Sequence, residues 1–217
     1  MEIQQTYIEV PKSAKLCKLG KWTRETQNTW LCLHGYGLLS QYFIRHFEPL
    51  DDGSNVVLAP EALSHFYLDG TYGRVGACWM TKEERDRDII DNMHYIDTVY
   101  QEIPHEQRDR LVALGFSQGT PTIFRWLIHR KPTIKAAVAW ASDIPKDVLT
   151  PEGVAYLNQF PVYVVLGDED EFVSPERLEK LKAVLQDSGL NYTFIPFKGM
   201  HRILKEPLIE LYNHINE

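Results

Sequence analysis

Ser117 stands in "GFSQG" (115–119), with Gly115 and Gly119 on either side at two-residue spacing. A serine hydroxyl is weakly nucleophilic at neutral pH, so chemistry here needs a base for its proton and donors for the charge that develops. A small residue in a tight turn gives the same short pattern, and only its surroundings separate the two readings. "DRLVALGF" (109–116) reads as an inner strand, and a helical stretch runs from Ser117 to about His129, with Pro121 tolerated in its first turn. Glycine on both sides removes side chains where a sharp strand-to-helix turn presses backbone against backbone.

Base and acid are expected after the serine, in the order acid then histidine. His129 lies inside the helix that Ser117 begins, and His214 falls in the last amphipathic helix. His201, in "FKGMHRI", occupies a loop between a strand and a helix and is the expected base. The acid should follow the strand "FPVYVVLG" (160–167), where "GDEDEF" offers four carboxylates. A charge run of this kind is usually a solvated loop. A triad, however, needs one carboxylate to hold the imidazole tautomer and stabilise the imidazolium. Asp170 is preferred, and Asp168, nearer the strand end, is the alternative that instead fixes the loop.

The amide of Gln118, at a helix N-terminus, is one expected oxyanion donor. "LCLHGYG" (31–37) supplies the second through the amide of Tyr36, with His34 read as a brace of that loop. "YLDGTYGRVGACWMTKEERD" (67–86) would overhang the same edge. Trp79 and Met80 could line a substrate pocket there or pack beneath the loop; Phe172, beside the acid, offers another wall.

Six apolar runs position these groups: 29–35, 55–62, 109–116, 134–142, 160–167 and 191–197. They are nearly continuous in Val, Leu, Ala and aromatic residues, as strands covered on both faces are. Helical stretches lie between them, near 40–50, 82–102, 117–129, 174–189 and 203–215. The stretch 174–189 has Ser174 as N-cap, Pro175 at the first helical position and Gly189 as terminator. Alternation of this kind predicts an α/β fold: a mostly parallel sheet with helices on both faces. Runs near Thr6–Val10 and Ala14–Leu19, separated by "PKS", predict an N-terminal edge hairpin. The segment from Asp143 to Gln159 is too short for a large lid. No second composition regime or repeat appears, so residues 1–217 read as a single domain.

Composition narrows the partners. The net charge of −7 comes without any dense Lys/Arg block, which argues against nucleic acid. "MEIQQTYIEV" does not read as a secretory signal, and no stretch approaches the ~20 apolar residues of a membrane span. Cys17, Cys32 and Cys78 are an odd set at wide spacing, which predicts reduced thiols and a cytoplasmic setting. The scattered histidines suggest no metal site, and triad chemistry asks for no cofactor.

Taken together, "LHGYG", "GFSQG", "GDEDEFVSP" and "GMH" resemble the phospholipase/carboxylesterase group of α/β-hydrolases, over about Thr29 to His201. The resemblance implies a Ser117–Asp170–His201 triad, oxyanion donors at Tyr36 and Gln118, and a small acyl ester or thioester as substrate. Thr120 and Leu38 stand where that family commonly carries a glycine and an aspartate. Two further readings are a thioesterase or deacylase with the same machinery and an inert binding protein on the same scaffold.

Overall fold

The computed structural model describes residues 3–217; the first two residues of the N-terminal stretch lie outside the described residues. In chain order the elements are β1 (Leu16–Leu19), β2 (Asn28–Leu33), α1 (Ser40–Phe43), β3 (Asn55–Pro60), β4 (Ser64–Tyr67), β5 (Val75–Cys78) and α2 (Arg85–Gln101). There follow β6 (Leu111–Phe116), α3 (Gly119–Arg130), β7 (Ala136–Trp140), α4 (Pro151–Leu157), β8 (Val162–Gly167), α5 (Pro175–Ser188), β9 (Thr193–Phe197) and α6 (Lys205–Asn216). Seven strands form one sheet in the order β1-β3-β2-β6-β7-β8-β9, parallel except for β1, while β4 and β5 pair separately. This is the mostly parallel α/β arrangement expected.

Alternate residues of each inner strand serve two separate cores, because successive side chains point to opposite faces. Leu31 and Leu33 of β2 join Ala113 of β6 and Trp126 of α3 on one face. Trp30 and Cys32 join Leu114 of β6 and Leu208 of α6 on the other. The five central strands are buried at every position, which explains their unbroken apolar runs.

Strand order also decides where a ligand belongs. From β2 the chain crosses to β3 on one side, whereas β6 lies on the other side of β2 and leads on to β7. Neighbouring loops therefore diverge at the carboxyl ends of β2 and β6 and leave a crevice. Leu33 stands opposite Gly115, so the His34–Tyr36 loop rises level with Ser117. At the far side Gly167 stands opposite Phe197, which brings the loops after β8 and β9 to a common height.

The N-terminal hairpin is not formed. Residues 6–10 adopt no strand, and β1 pairs antiparallel with β3 instead. A five-residue strand exposed on both faces would bury little, while β3 offers an unpaired edge beside a formed core. Among the described residues Tyr7 is held by side chains: its hydroxyl donates to Glu84 at 2.6 Å and its ring lies under Arg87. The expected helix over 40–50 is one α-turn followed by a 3₁₀ helix, Ile44–Leu50, with Pro49 inside it. Asp143–Gln159 folds as a short 3₁₀ turn and α4, with Val148, Val154 and Leu157 buried on the core. That segment is packed down and forms no lid.

Candidate active site

Ser117 sits between β6 and α3 with φ of 52°, a left-handed conformation that costs a non-glycine residue about 1–3 kcal/mol. Close packing holds it there. A Cβ on Gly119 would lie 2.1 Å from the Leu33 carbonyl oxygen, and one on Gly115 2.4 Å from Thr120 Cα. The Ser117 amide donates to the Trp140 carbonyl at 2.8 Å, which ties the turn to β7. Thr120, at the position where the resemblance calls for glycine, uses its side chain. Its hydroxyl donates to the Gly115 carbonyl at 2.7 Å and closes the turn from within.

The loop after β2 presses on this turn. A Cβ on Gly35 would lie 3.1 Å from Ser117 Cβ, so the next amide, that of Tyr36, borders the serine. Gly37 N donates to the Ala77 carbonyl and Leu38 pairs with Ala77, so β5 extends the loop as a short antiparallel ladder. Among the described residues the Tyr36 and Gln118 amides have no backbone hydrogen-bond partner. Both are free to meet a developing oxyanion.

His34 braces this loop as expected. The Ala62 amide donates to its Nε2 at 3.0 Å, which leaves the proton on Nδ1 for the Gly35 carbonyl at 2.7 Å. Burial lowers its pKa, so the ring stays neutral and keeps that acceptor. Glu61, next to Ala62, is a buried carboxylate. Burial alone would raise its pKa; hydrogen bonds from His65, Lys15 and Ser40 outweigh this and bring it down to about 2. Its Oε2 takes the amide and hydroxyl of Ser40, the first residue of α1, at 3.0 and 3.1 Å.

On the other side of the crevice, His201 Nδ1 lies 2.7 Å from Asp170 Oδ2. The Asp170 side chain has no exposed surface, and its second oxygen accepts the Phe172 amide at 2.9 Å. A carboxylate so placed holds the imidazole proton on Nδ1 and leaves Nε2 as acceptor. The His201 ring lies 5.0 Å from that of Phe116, the residue before Ser117, and 4.8 Å from Phe172. Asp168 does the other job foreseen for it: its carboxylate takes the Gly199 amide at 3.0 Å and joins the acid loop to the histidine loop.

Of the three residues expected to line a substrate wall, only Phe172 is exposed, at 58%. Trp79 (1% exposed) and Met80 (9%) lie in the core, so the packing alternative describes them. The Trp79 indole turns inward because its N–H finds the His34 carbonyl at 2.8 Å. The Gln118 side chain, which sequence reasoning did not single out, bridges these two residues: Oε1 accepts the Trp79 amide and Nε2 donates to the Met80 carbonyl. A glutamine after the serine is the only signal for that bridge, since its partners are 38 and 39 residues away. Tyr36 is half exposed, with its ring 4.9 Å from Phe66 of β4. Among the described residues no three His, Cys, Asp or Glu side chains gather where they could hold a metal ion.

Comparison with known proteins supplies the context. The model of the phospholipase/carboxylesterase family matches residues 21–217. MhqD of Bacillus subtilis (strain 168) is 27% identical over 97 residues, 44% of this chain and 46% of that protein. The chain thus spans just under half the length of the curated relative it matches. The solved carboxylesterase of Bacillus cereus is 19% identical with a TM-score of 0.67, covering 93% of this chain and 94% of that one. Acyl-protein thioesterase 2 of Zea mays gives 17% and 0.73, over 94% and 98%. A phospholipase/carboxylesterase from Dyadobacter fermentans gives 17% and 0.64, over 96% and 99%. Likeness at these identities shows a shared fold.

Proposed function

The chain belongs to the phospholipase/carboxylesterase family, and we propose that it is a single-domain serine hydrolase cleaving small or extended acyl esters through Ser117, His201 and Asp170. The observation that carries this reading is the buried Asp170 carboxylate 2.7 Å from His201 Nδ1, on a ring packed against the residue that precedes Ser117. Structural pairs of this kind occur without catalysis. Here the His201 ring packs on Phe116 at the carboxyl end of β6, and the next residue is a serine held in a strained turn at the crevice where the strand order reverses.

Ser117 Oγ attacks the carbonyl carbon while His201 Nε2 takes its proton. The Tyr36 and Gln118 amides receive the oxyanion, and Asp170 stabilises the imidazolium. Collapse of the tetrahedral species breaks the ester C–O bond, and the proton on Nε2 goes to the departing alcohol. Water then attacks the acyl-enzyme with the same histidine as base, releasing the acid and Ser117. Side chains, backbone amides and water complete the cycle with no cofactor.

Exposed Phe172 and Tyr36 favour an apolar group on the substrate. A thioester suits the same machinery, since only the leaving atom changes. Among the described residues no helix is long and apolar enough to cross a membrane. The three cysteines are free, which supports a reducing, cytoplasmic setting. The test is Ser117→Ala on a panel of short-chain esters, long-chain esters and thioesters. Turnover should fall by about 10⁶, and full activity of the variant on any of them would overturn the assignment.

A further inference from the structure

In the proposed cycle His201 returns its proton to the departing group, so that group must lie beside the imidazole. Phe172 is the side chain it meets there. Its ring stands edge-on to His201, 4.8 Å away at 70°, with more than half of its surface open. The position of Phe172 depends on polar contacts, because an exposed ring gains little from packing. Its amide is held by Asp170 Oδ1 and its carbonyl by Arg177 Nη1 at 2.7 Å.

Arg177 is itself fixed at both ends. Its amide is capped by the Ser174 hydroxyl at the start of α5. Its Nε and Nη2 both reach Asp143 Oδ2, at 3.3 and 3.1 Å. Asp143 belongs to the loop after β7, two residues beyond Ala141, whose φ is 54°. One planar guanidinium therefore joins the loop after β7, the acid loop after β8 and the first turn of α5. Lysine, with a single point charge, could not reproduce this fork. The Arg177 and Asp143 side chains are 46% and 43% exposed, and ion pairs that open to solvent contribute little to folding. A contact of small value to stability spans three elements at the edge of the catalytic crevice, which points to a role in aligning the site.

We propose that Arg177, anchored by Asp143, is a positioning residue that fixes Phe172 against His201 and so shapes the leaving-group side of the site, favouring esters of bulky apolar alcohols. This rests on the hydrolase reading above and adds a selectivity to it. Arg177 touches no reacting atom and acts through Phe172.

The test compares ethyl and benzyl esters of one acid, whose alcohols differ in bulk far more than in leaving ability. Active protein is normalised by fluorophosphonate titration, so that any misfolded fraction drops out. Phe172→Ala should lower the benzyl-to-ethyl ratio of kcat/KM about tenfold, whatever it does to both esters alike. Arg177→Met should lower the benzyl-to-ethyl ratio about fivefold, and Arg177→Lys should resemble it. The double variant Phe172→Ala/Arg177→Met should be no worse than Phe172→Ala alone, since both act on one contact. Equal losses on the two esters in Arg177→Met, or additive losses in the double variant, would overturn the proposal and leave Arg177 a structural residue. If the wild-type protein is inert towards both esters, the hydrolase reading fails and the proposal fails with it. An active wild type whose ester preference ignores Arg177 overturns the proposal alone.

Discussion

The two sides of the crevice are held by different physics. On the serine side, backbone presses on backbone. Gly115 and Gly119 admit backbone contacts no side chain would allow, Gly35 fits tightly against Phe116 and Ser117, and Trp79 and His34 fill the space beneath with 1% or less exposed. On the histidine side, the loops after β8 and β9 are more open and hang on polar side chains: Asp168 on Gly199, Asp170 on His201, Arg177 on Phe172. An oxyanion site gains from rigidity, because donors that need no rearrangement cost nothing at the moment of reaction. A general base needs its tautomer and direction fixed, and one buried carboxylate suffices for that. Damage should therefore show as lost folding on the first side and as lost rate on the second.

The largest effect should come from the polar side. Asp170→Asn should reduce turnover by about 10⁴, with thermal stability nearly unchanged, because the amide can donate to Nδ1 and hold the wrong tautomer. Steady-state kinetics beside a thermal melt separates rate from folding; a large drop in Tm with turnover kept would break the comparison. Gly119→Ala is the counterpart on the packed side. Its methyl would meet the Leu33 carbonyl at 2.1 Å, and β2 and α3 would have to part. A loss of about 3 kcal/mol or more is expected in denaturant unfolding, with activity falling alongside; a variant as stable as the parent would show that the turn has slack.

Glu61 tests the exception, a polar group within the packed side. Its pKa lies below the unfolded value, so its contribution is complete above the ordinary carboxylate range and is lost as pH falls towards about 2. Lys15 and His65 are about half exposed, so solvent screening reduces the expected size to about 1–2 kcal/mol. Wild-type stability should decline between about pH 4.5 and 2, whereas Glu61→Gln should start lower at pH 7 and change less over that window. Parallel stability curves for the two proteins would remove Glu61 from the account. The smallest effect should be that of Asp168→Asn. An amide oxygen still accepts from Gly199, so kcat should fall less than about tenfold; a loss matching that of Asp170→Asn would move the acid by two residues.

Much of this division was legible in the sequence. The packed side advertises itself through glycines, because close backbone contact leaves a mark on residue type. The inner strands showed as unbroken apolar runs for the same reason. On the polar side the carboxylate that meets His201 is readable only by its place after a strand, and preferring Asp170 to Asp168 requires asking which one lies far enough out to reach an imidazole. Contacts made at long range left no local trace. Trp79 reads equally as pocket wall or as core beneath the loop, because nothing nearby reveals that its indole donates 45 residues back, to His34. The Gln118 bridge was hidden for the same reason. The β4–β5 pair, four residues a side and mostly exposed on β4, has too little apolar alternation to stand out, and its partner is the loop of Gly37 and Leu38. Residues 6–10 have strand-like composition and no strand, because composition does not say whether an edge is already taken.

The central claim is that Ser117 is a nucleophile activated by His201. Its most direct test is the mass of the protein after brief exposure to a fluorophosphonate, followed by peptide mapping. One adduct per chain is expected, on the peptide containing Ser117, and labelling should slow by several orders of magnitude in His201→Ala. An adduct on another residue, or undiminished labelling of Ser117 in His201→Ala, would contradict the claim.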